Sequence, residues 1–495
     1  RLAESQTGGF TIRGKRIMTE YEVTIGLETH IQLNTVTKAF CSCKADSWGE
    51  EPNTNICPVC TGQPGTLPRT NKAMVEKALM LCLAMNADIN RKSFFDRKNY
   101  LYADLPAGYQ VTQNDMPIGK GGYLDFFMDD GRKIRVHIDN LHMEEDAGKT
   151  KNEGDIRLID MNRCGVPLVE MVTKPDLHSA DEAATYLMRL RQLLRWIGVS
   201  EANMEKAHLR CDANVSIRPK GAKELGRKCE IKNINSIEAV RAAINSEVER
   251  QTRELNAGNK VEQWTIEWDN DAQELRKMRS KETAADYRYF REPNLMPVVI
   301  TEEFLEEVKA KMPELPIQRR ERFINELGLP EYDASILTGE RDTSEFFEAA
   351  CKIYGKDNKR VSNWMMNEVL RVVNEKGISV SELRITPQDL ADIISLVDSK
   401  KINTSTGKSL VDKVEETGKS PAEIVEESGL GLVSDDSEIR KVCERIILDN
   451  PKEVGLYKGG KETLIGWFVG QVMREMRGKA DPALTKSILE ELLKQ

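Results

Sequence analysis

The stretch His142-Met143-Glu144-Glu145-Asp146-Ala147-Gly148-Lys149 places three consecutive carboxylates between a histidine and a Gly-Lys turn. The preceding residues, 135–141, alternate polar and apolar side chains, which predicts a strand with one buried face. A strand end holds acidic side chains in fixed positions, and oxygen ligands held in this way favour Mg²⁺. Runs of acids also occur in ordinary solvated loops, so this stretch alone leaves both interpretations open.

Other segments repeat the pattern of a strand with polar side chains on one face. Clean alternation predicts strands at residues 21–33, 210–218 and 229–234. Their polar faces carry Glu28 and His30, then Asp212, then Glu230 and Lys232. Each carboxylate alone is typical of an exposed strand face, but together with the acids of the first stretch they predict a metal-ion site in a β-rich layer. The apolar segment 166–172 adds one inward-pointing candidate, Glu170.

Four of the ten cysteines lie close together in the sequence. They form two short pairs, Cys41-Ser-Cys43 and Cys57-Pro-Val-Cys60. Two such pairs can supply four thiolates to one tetrahedral Zn²⁺, and a site with four cysteine ligands is structural rather than catalytic. The alternative is four unrelated buried thiols. The other cysteines are scattered in apolar surroundings, which favours a reducing compartment over a disulfide framework.

Length and composition limit the class of protein. The chain has 495 residues, enough for about two to four domains, and 40% of them are hydrophobic, enough for sizeable cores. A net charge of −8 argues against a general nucleic-acid-binding protein but allows local basic surfaces. No apolar run approaches the length that a membrane span needs.

The pattern changes from strand-like to helix-like near residue 302, which predicts an α+β protein. We expect a β-rich domain with flanking helices at residues 19–312, including a zinc knuckle at 41–60. A helical domain at 313–428 and a small helical tail at 429–495 follow. Residues 1–18 are interpreted as an unstructured leader or cloning remnant.

Several further segments carry functional hypotheses. Residues 94–113 combine tyrosines and polar groups around a Pro/Gly turn, which predicts a loop that lines a cavity. Residues 264–291 interleave arginines with aromatic residues, a pattern typical of RNA or nucleotide contact and equally of a structural ion-pair network. Basic residues outnumber acidic ones at 440–479, which favours RNA contact by the tail. Thr406-Gly-Lys-Ser409 resembles the end of a P-loop, but Ile402 replaces its first glycine, so we reject that interpretation.

The ordered motifs of the chain resemble those of one known family. They are Ile25-Gly-Leu-Glu-Thr-His-Ile-Gln-Leu33, Phe95-Asp-Arg-Lys-Asn-Tyr100, Gly108-Tyr-Gln110, the stretch 142–149, Leu209-Arg-Cys-Asp-Ala-Asn-Val-Ser-Ile-Arg-Pro219, Asp286-Tyr-Arg-Tyr-Phe290 and Gly470-Gln471. Together they resemble the B-subunit family of the glutamyl/aspartyl-tRNA amidotransferases. The resemblance extends from about residue 21 to the C-terminus.

This resemblance implies an ATP-dependent transamidation of mischarged Glu-tRNA(Gln) or Asp-tRNA(Asn). ATP would phosphorylate the side-chain carboxylate of the esterified amino acid, and ammonia would then displace the phosphate. The resemblance also implies a heterotrimer with two partners, an amidase that releases ammonia from glutamine (the A subunit) and a small C subunit, located in the bacterial cytoplasm or an organelle. It implies a cradle-like catalytic first domain and a tail that binds tRNA.

The resemblance also implies roles for three groups of residues. Catalytic groups and ligands of Mg²⁺ are expected at Glu28, His30, Glu144, Glu145, Asp212 and Glu230. Contacts to phosphates are expected from Lys149, Arg210 and Lys232. The ammonia path or the acceptor end of tRNA is expected to meet Lys98, Tyr100 and Tyr109. Because the substrate's own carboxylate is the nucleophile, the protein needs a cage for phosphate and cation rather than an activated serine or cysteine.

Two other interpretations are open. The chain could be a noncatalytic, zinc-containing scaffold that only positions tRNA. Clustered acids argue against a scaffold, because carboxylates repel phosphate unless a cation lies between them. The archaeal counterpart, which pairs with an asparaginase-like partner, carries a large insertion before its tail, and the sequence shows no such insertion.

Overall fold

The computed structural model describes residues 20–280, 286–428, 436–476 and 480–494. The predicted leader at 1–18 and the start of the predicted tail, 429–435, lie outside these residues. Among the described helices, none has both the length and the apolar character that crossing a membrane requires. The chain divides into two compact units, Arg1–Ile317 and Gln318–Gln495, which are described separately.

The first unit is built on β-strands. Its described strands are β1 (Tyr21–Gln32), β2 (Asp88–Ile89), β3 (Lys92–Ser93), β4 (Asp96–Asn99), β5 (Tyr109–Thr112), β6 (Gly119–Lys120), β7 (Tyr123–Phe127), β8 (Lys133–Glu145), β9 (Lys149–Glu153), β10 (Ile156–Asp160), β11 (Pro167–Thr173), β12 (Leu209–Pro219), β13 (Cys229–Ile234), β14 (Trp264–Asp269), β15 (Glu274–Ser280), β16 (Phe290–Arg291) and β17 (Val298–Val299). Its helices are α1 (Lys72–Ala84), α2 (Ala180–Trp196), α3 (Ile237–Asn256) and α4 (Glu302–Lys311).

One large sheet organises this unit. Its strand order is β15-β14-β13-β12-β1-β11-β8-β6-β2, and β7 also pairs with β8. The pairs around the centre are antiparallel, whereas β13 and β14 run parallel. The central strand β1 pairs with β11 on one side and with β12 on the other. Four consecutive strands, β8, β11, β1 and β12, therefore present their side chains in register.

Alternation along β1 decides which face of the sheet is buried. Ile25, Leu27 and Ile31 are at most 1% exposed and belong to the main apolar core. That core also contains Val240 and Ile244 of α3, which packs on β12 and β13. The predicted polar residues of β1 consequently lie on the opposite face, away from this packing.

The helices α2 and α3 begin where the sequence predicts. Ser179 and Ser236 cap them by accepting hydrogen bonds from the backbone N–H groups of Glu182 and Ala239. The capping box predicted at α2 is half formed, because the Glu182 carboxylate accepts from the backbone N–H of His178 instead of that of Ser179.

The predicted cavity-lining loop at residues 94–113 borders a cavity with its residues 105–107, but its two ends are strands rather than loop. Asp96–Asn99 forms β4 and Tyr109–Thr112 forms β5, and the two strands pair antiparallel. β4 also pairs with β16, which comes much later in the chain. Strand formation here depends on these partners, which local alternation of polar and apolar residues does not reveal. Residues 100–108 between the strands are irregular.

The second unit is helical in its described part. After α5 (Pro316–Asn325) come α6 (Glu331–Leu337), α7 (Arg341–Tyr354), α8 (Asn358–Trp364), a π-helical turn (Met365–Val369), α9 (Leu370–Lys376), α10 (Pro387–Asp398), α11 (Thr404–Thr417), α12 (Pro421–Ser428), α13 (Asp436–Asp449), α14 (Pro451–Lys458), α15 (Ile465–Glu475) and α16 (Pro482–Lys494), with short 3-10 turns at Val380–Glu382 and Glu462–Leu464. Two apolar clusters form its cores, one within residues 323–424 and one within 439–493.

These elements confirm the predicted α+β class. A β-rich unit precedes a helical one, as the change in sequence pattern near residue 302 indicates. The rejected P-loop motif at residues 406–409 lies at the start of α11. The N–H of Thr406 donates to the side chain of the capping residue Asn403, and the N–H of Gly407 donates to the Asn403 carbonyl.

Candidate active site

A row of four side chains crosses the sheet on its polar face. Glu170 of β11 lies opposite His142 of β8 on one side and opposite His30 of β1 on the other. Arg210 of β12 lies opposite His30 on the far side of β1. Each strand contributes one residue to this row, and the pairing register brings them together.

Three side chains in or beside this row have ligand atoms close to one another. We call His30, Glu144 and Glu170 the His–Glu cluster, because a nitrogen and two carboxylate oxygens lie within 4.8 Å of one another. His30 Nε2 is 3.1 Å from Glu170 Oε2. His142 Nε2 is 3.4 Å from Glu144 Oε1 and 3.6 Å from Glu170 Oε2. Two carboxylates thus share two histidines.

The charges of the His–Glu cluster and of the neighbouring His142 stabilise each other's ionised forms. Burial lowers the pKa of His142, but hydrogen bonds with Glu144 and Glu170 outweigh burial and raise this pKa to about 10. Burial likewise lowers the pKa of His30, and the hydrogen bond and charge of Glu170 reverse that direction. Burial raises the pKa of Glu170, but the two histidines hold it well below its ordinary value. A cation that binds here must therefore displace protons from histidine.

A second group of acids lies on the same face of the sheet, starting two residues before His30 in β1. Glu28 of β1 lies opposite Asp212 of β12. With Glu230 of β13 they form the acidic cluster, whose carboxylate oxygens lie within 4.8 Å of one another. Burial, and next the charge of Glu170, raise the pKa of Glu28. Three carboxylates in one place repel each other, and a bound cation would relieve that repulsion.

A lysine partly neutralises the acidic cluster, and an asparagine donates a hydrogen bond to it. Lys232 Nζ is 2.5 Å from Asp212 Oδ2 and 3.3 Å from Glu230 Oε1. Burial lowers the pKa of Lys232, but the charge and hydrogen bond of Asp212 outweigh burial and raise it. Asn214 Nδ2 donates to Glu28 Oε1 at 2.9 Å. The predicted phosphate contact Lys232 therefore lies in the acidic cluster itself.

The two neighbouring glutamates of the first stretch point to opposite sides of the sheet. Glu144 is 1% exposed and accepts hydrogen bonds from Thr112 Oγ1 at 2.6 Å and Gln110 Nε2 at 3.0 Å. Glu145 Oε1 accepts from the backbone N–H of Val111 at 3.2 Å. Burial raises the pKa of Glu145 to about 8. The structure thus brings Glu144 into the His–Glu cluster and leaves Glu145 outside both clusters.

Glu145 lines a cavity of about 220 Å³ beside the four cysteines. Tyr109, Cys60 and Glu292 also border this cavity. Tyr109 is held by the Arg97 guanidinium, which lies 4.1 Å from the centre of its ring. Tyr109 therefore faces the cavity rather than the two clusters.

Lys98 and Tyr100 lie on the side of the clusters. Burial lowers the pKa of Lys98, but the charges of Glu144 and Glu170 outweigh burial and raise it. Tyr100 Oη donates to Gln110 Oε1 at 3.1 Å, and Gln110 in turn donates to Glu144. A hydrogen-bonded chain therefore connects Tyr100 to the His–Glu cluster.

The other two predicted basic contacts have different surroundings. Arg210 Nη2 is 2.8 Å from Asp146 Oδ2, so this arginine is paired at the end of the first row. Lys149 begins the exposed strand β9, and its Nζ is 5.8 Å from the centre of the Trp48 ring. Among the described residues, Lys149 belongs to neither cluster.

Sequence reasoning gave no role in the site to His142, Asn214 and Gln110. It noted Glu170 as an inward-pointing candidate but did not include it among the expected metal ligands. Glu170 carried the strongest signal, as the single charged residue in an apolar strand. Asn214 alternates with apolar residues beside Asp212 and could have been found in the same way.

The four-cysteine group fits a tetrahedral metal ion. The sulfur atoms of Cys41, Cys43, Cys57 and Cys60 lie within 4.8 Å of one another. Four sulfurs at about 2.3 Å from one Zn²⁺ would be about 3.8 Å apart, so small movements suffice. A hydrogen bond with Cys41 is the largest cause that lowers the pKa of the Cys60 thiol to about 5. The donor set is that of a closed structural site.

Both units resemble known proteins. A family model described as the GatB/GatE catalytic domain matches residues 23–306, and one described as the GatB domain matches residues 345–493. The chain is 49% identical to the B subunit of the aspartyl/glutamyl-tRNA(Asn/Gln) amidotransferase of Persephonella marina, over 96% of this chain and 100% of the relative. It is 48% identical to the protein of the same name from Thermotoga maritima, over 96% and 99%.

A third relative, from Thermodesulfovibrio yellowstonii, bears the same name and is 47% identical over 96% of this chain and 100% of its own length. The matches cover the sheet that carries both clusters and most of the helical unit. The chain belongs to the family of aspartyl/glutamyl-tRNA(Asn/Gln) amidotransferase B subunits.

Proposed function

We propose that the first unit activates and amidates the side chain of glutamate or aspartate esterified to tRNA. A carboxylate oxygen of that amino acid attacks the γ-phosphorus of ATP, and ADP leaves. Ammonia then attacks the acyl carbon, phosphate leaves, and the nitrogen loses one proton to give the amide. The observation that carries this proposal is the proximity of the His–Glu cluster and the acidic cluster on adjacent rows of one sheet face.

The chemistry needs little from the protein beyond positioning and charge. Mg²⁺ held by the carboxylates of the two clusters would neutralise the phosphate oxygens of ATP. The fit is supported by Glu28, whose raised pKa reflects burial and neighbouring acids. Lys232 and Arg210 already pair with carboxylates and can turn toward phosphate oxygens as these arrive.

Residues on both sides of β8 suit the approach of ammonia. Lys98 and Tyr100 border the His–Glu cluster, and Glu145 with Tyr109 lines the cavity on the other side. The pKa of Glu145, raised by burial to about 8, makes this carboxyl able to hold or accept a proton near neutral pH. Lys149, on the exposed strand β9, would meet phosphates of the tRNA rather than of ATP.

The remaining parts of the proposal concern partners and support. The chain would act in a heterotrimer with an amidase (the A subunit), which would release ammonia from glutamine, and a small C subunit, in the bacterial cytoplasm or an organelle. The helical tail would bind tRNA through its local excess of basic residues. Zn²⁺ on the four cysteines would be structural.

The test measures ATP hydrolysis by the chain purified with its amidase partner, with ammonium chloride as the nitrogen donor. Hydrolysis that requires Glu-tRNA(Gln) or Asp-tRNA(Asn) and yields the amidated tRNA is the expected result. Asp212→Asn should abolish it and leave glutamine hydrolysis by the partner intact. Glu153→Gln, on the exposed strand β9, is the matched control and should behave as the wild type. Binding of tRNA without any turnover would instead favour a noncatalytic scaffold.

A further inference from the structure

Lys38 is buried completely beside the four-cysteine group. Lys38 is 0% exposed, and it lies three positions before Cys41 in the sequence. Lysine is almost never fully buried unless its charge is paired. A lysine at this position therefore needs a specific partner, which its surroundings identify.

The Lys38 amino group makes two hydrogen bonds. Nζ donates to the backbone carbonyl of Asn55 at 2.9 Å and to Cys60 Sγ at 3.6 Å. Cys60 Sγ also accepts from the backbone N–H of Cys57 at 3.2 Å. Of the four sulfurs, that of Cys60 is consequently the one with two N–H donors among the described contacts.

The backbone of Lys38 is fixed as firmly as its side chain. Its N–H donates to the carbonyl of Cys43 at 2.9 Å, and its carbonyl accepts from Asn71 Nδ2 at 3.2 Å. The amino group therefore cannot leave the cysteines by a movement of the chain without breaking the loop that holds Cys41 and Cys43.

Carboxylates do not account for the burial of Lys38. In the described part of the chain no carboxylate oxygen lies within 4.0 Å of its Nζ. Glu145 lies in the same neighbourhood, since its Oε2 and Lys38 Cδ both border Gly165, at 3.8 Å and 3.6 Å from the place where a Cβ would lie. The sulfur of Cys60, at 3.6 Å from Nζ, is therefore the side-chain partner recorded for this lysine.

We propose that Lys38 is the charge partner of the four-cysteine metal site and positions Cys60 Sγ as a thiolate ligand. Four thiolates around a divalent ion carry a net charge of about −2, and an adjacent buried lysine offsets part of it. N–H donors to a ligand sulfur also orient that sulfur toward the ion. This inference rests on the proposed zinc site.

Zinc affinity of the full chain, purified with its amidase partner, tests the inference. Competition with a chromophoric chelator gives the affinity, and the thiolate-to-metal absorption band of the Co²⁺-loaded chain reports on the sulfurs. Lys38→Met removes the charge and both hydrogen bonds, and should weaken zinc binding about 10- to 100-fold. The Co²⁺ band should shift in the same variant.

Two further variants keep the result interpretable. Lys38→Gln retains a neutral donor for the Asn55 carbonyl and should fold, but it lacks the charge and should still bind zinc at least several-fold more weakly. Lys44→Met removes an exposed lysine beside Cys43 that pairs with Glu50, and should match the wild type. Far-UV circular dichroism in excess zinc checks folding of each variant.

The outcomes separate the two proposals. A wild-type chain that binds no zinc would remove the zinc site and the role of Lys38 with it. Zinc binding by the wild type that is matched within about twofold by a folded Lys38→Gln or Lys38→Met chain would leave the site standing and overturn the role of Lys38. An equal loss in Lys44→Met would also overturn it, because any nearby positive charge would then suffice.

Discussion

Glu170 and His30 face each other from adjacent strands, with 3.1 Å between Oε2 and Nε2. Glu170 also supports His142 on its other side. Removing its charge with Glu170→Gln should leave His30 without its hydrogen-bonded counter-ion and His142 with Glu144 alone. We expect the free energy of unfolding at pH 6 to fall by about 3 kcal/mol, measured by urea denaturation.

The contacts of His142 with Glu144 and Glu170 predict a pH dependence of the free energy of unfolding. The pKa of His142 in the folded chain, raised to about 10, lies above its ordinary value. Its contribution to stability is therefore complete below about pH 6.5 and is lost as the pH rises to about 10. Glu170→Gln should flatten this part of the profile. Asp176→Asn removes the partner of the more exposed His137 and should leave the profile unchanged.

Glu145 should lower the free energy of unfolding as the pH rises through a range below that of His142. Its pKa is raised to about 8, so the folded chain holds a proton that the unfolded chain has released above about pH 4.5. Stability is consequently lost between those two values, by at most about 5 kcal/mol. Glu145→Gln should remove this slope and be more stable than the wild type at pH 8. Glu153→Gln should retain the slope.

Glu28→Gln should stabilise the chain in the absence of Mg²⁺ and remove the stabilisation that Mg²⁺ gives the wild type. Glu28→Gln relieves repulsion among three carboxylates, so in EDTA its melting temperature should exceed that of the wild type. Mg²⁺ at a hundred times its dissociation constant stabilises a binding protein by about 2.7 kcal/mol, and this gain should be lost in Glu28→Gln. Glu22→Gln on the same strand should keep it. Equal stabilisation of Glu28→Gln by Mg²⁺ would contradict the proposed site.

The buried pair of Arg97 and Glu292 should matter more for stability than an exposed pair of the same kind. Glu292 is 1% exposed in its side chain and Arg97 19%, with two hydrogen bonds of 2.5 Å and 3.0 Å between them. Glu292→Ala should cost about 3 kcal/mol, because it leaves the partly buried Arg97 guanidinium without its carboxylate partner.

The matched control for Glu292→Ala is the exposed pair of Arg91 and Glu302, whose side chains are 49% and 64% exposed. Glu302→Ala should cost less than about 1 kcal/mol in the same urea denaturation. Similar costs for the two variants would show that the buried pair contributes little.

Alternation along single strands predicted part of the candidate site. It placed Glu28 and His30 on one face of β1, and Asp212 on the polar face of β12, as the structure shows. It could not give the register between strands, which depends on partners far apart in the sequence. Glu170 was therefore seen as inward-pointing but not as the residue between two histidines.

The strand before residues 142–149 was predicted to end too early. The acids were expected just beyond a strand that ends near residue 141, but β8 continues to Glu145. Within a strand, neighbouring residues point to opposite faces, so Glu144 and Glu145 separate. Lys149 is separated from them for another reason, because β8 ends at Glu145 and Lys149 begins the hairpin of β9 and β10.

Because each row of the site takes one residue from each strand, the four central strands should tolerate almost no change in length. An inserted or deleted residue in β1 or β11 would exchange the two faces beyond that point and send His30 or Glu170 toward the core. The hairpin of β9 and β10, whose residues are mostly exposed and whose two strands form a separate two-stranded sheet, has no such constraint. Related chains should therefore vary in length at that hairpin while the spacing from Glu28 to His30 stays fixed.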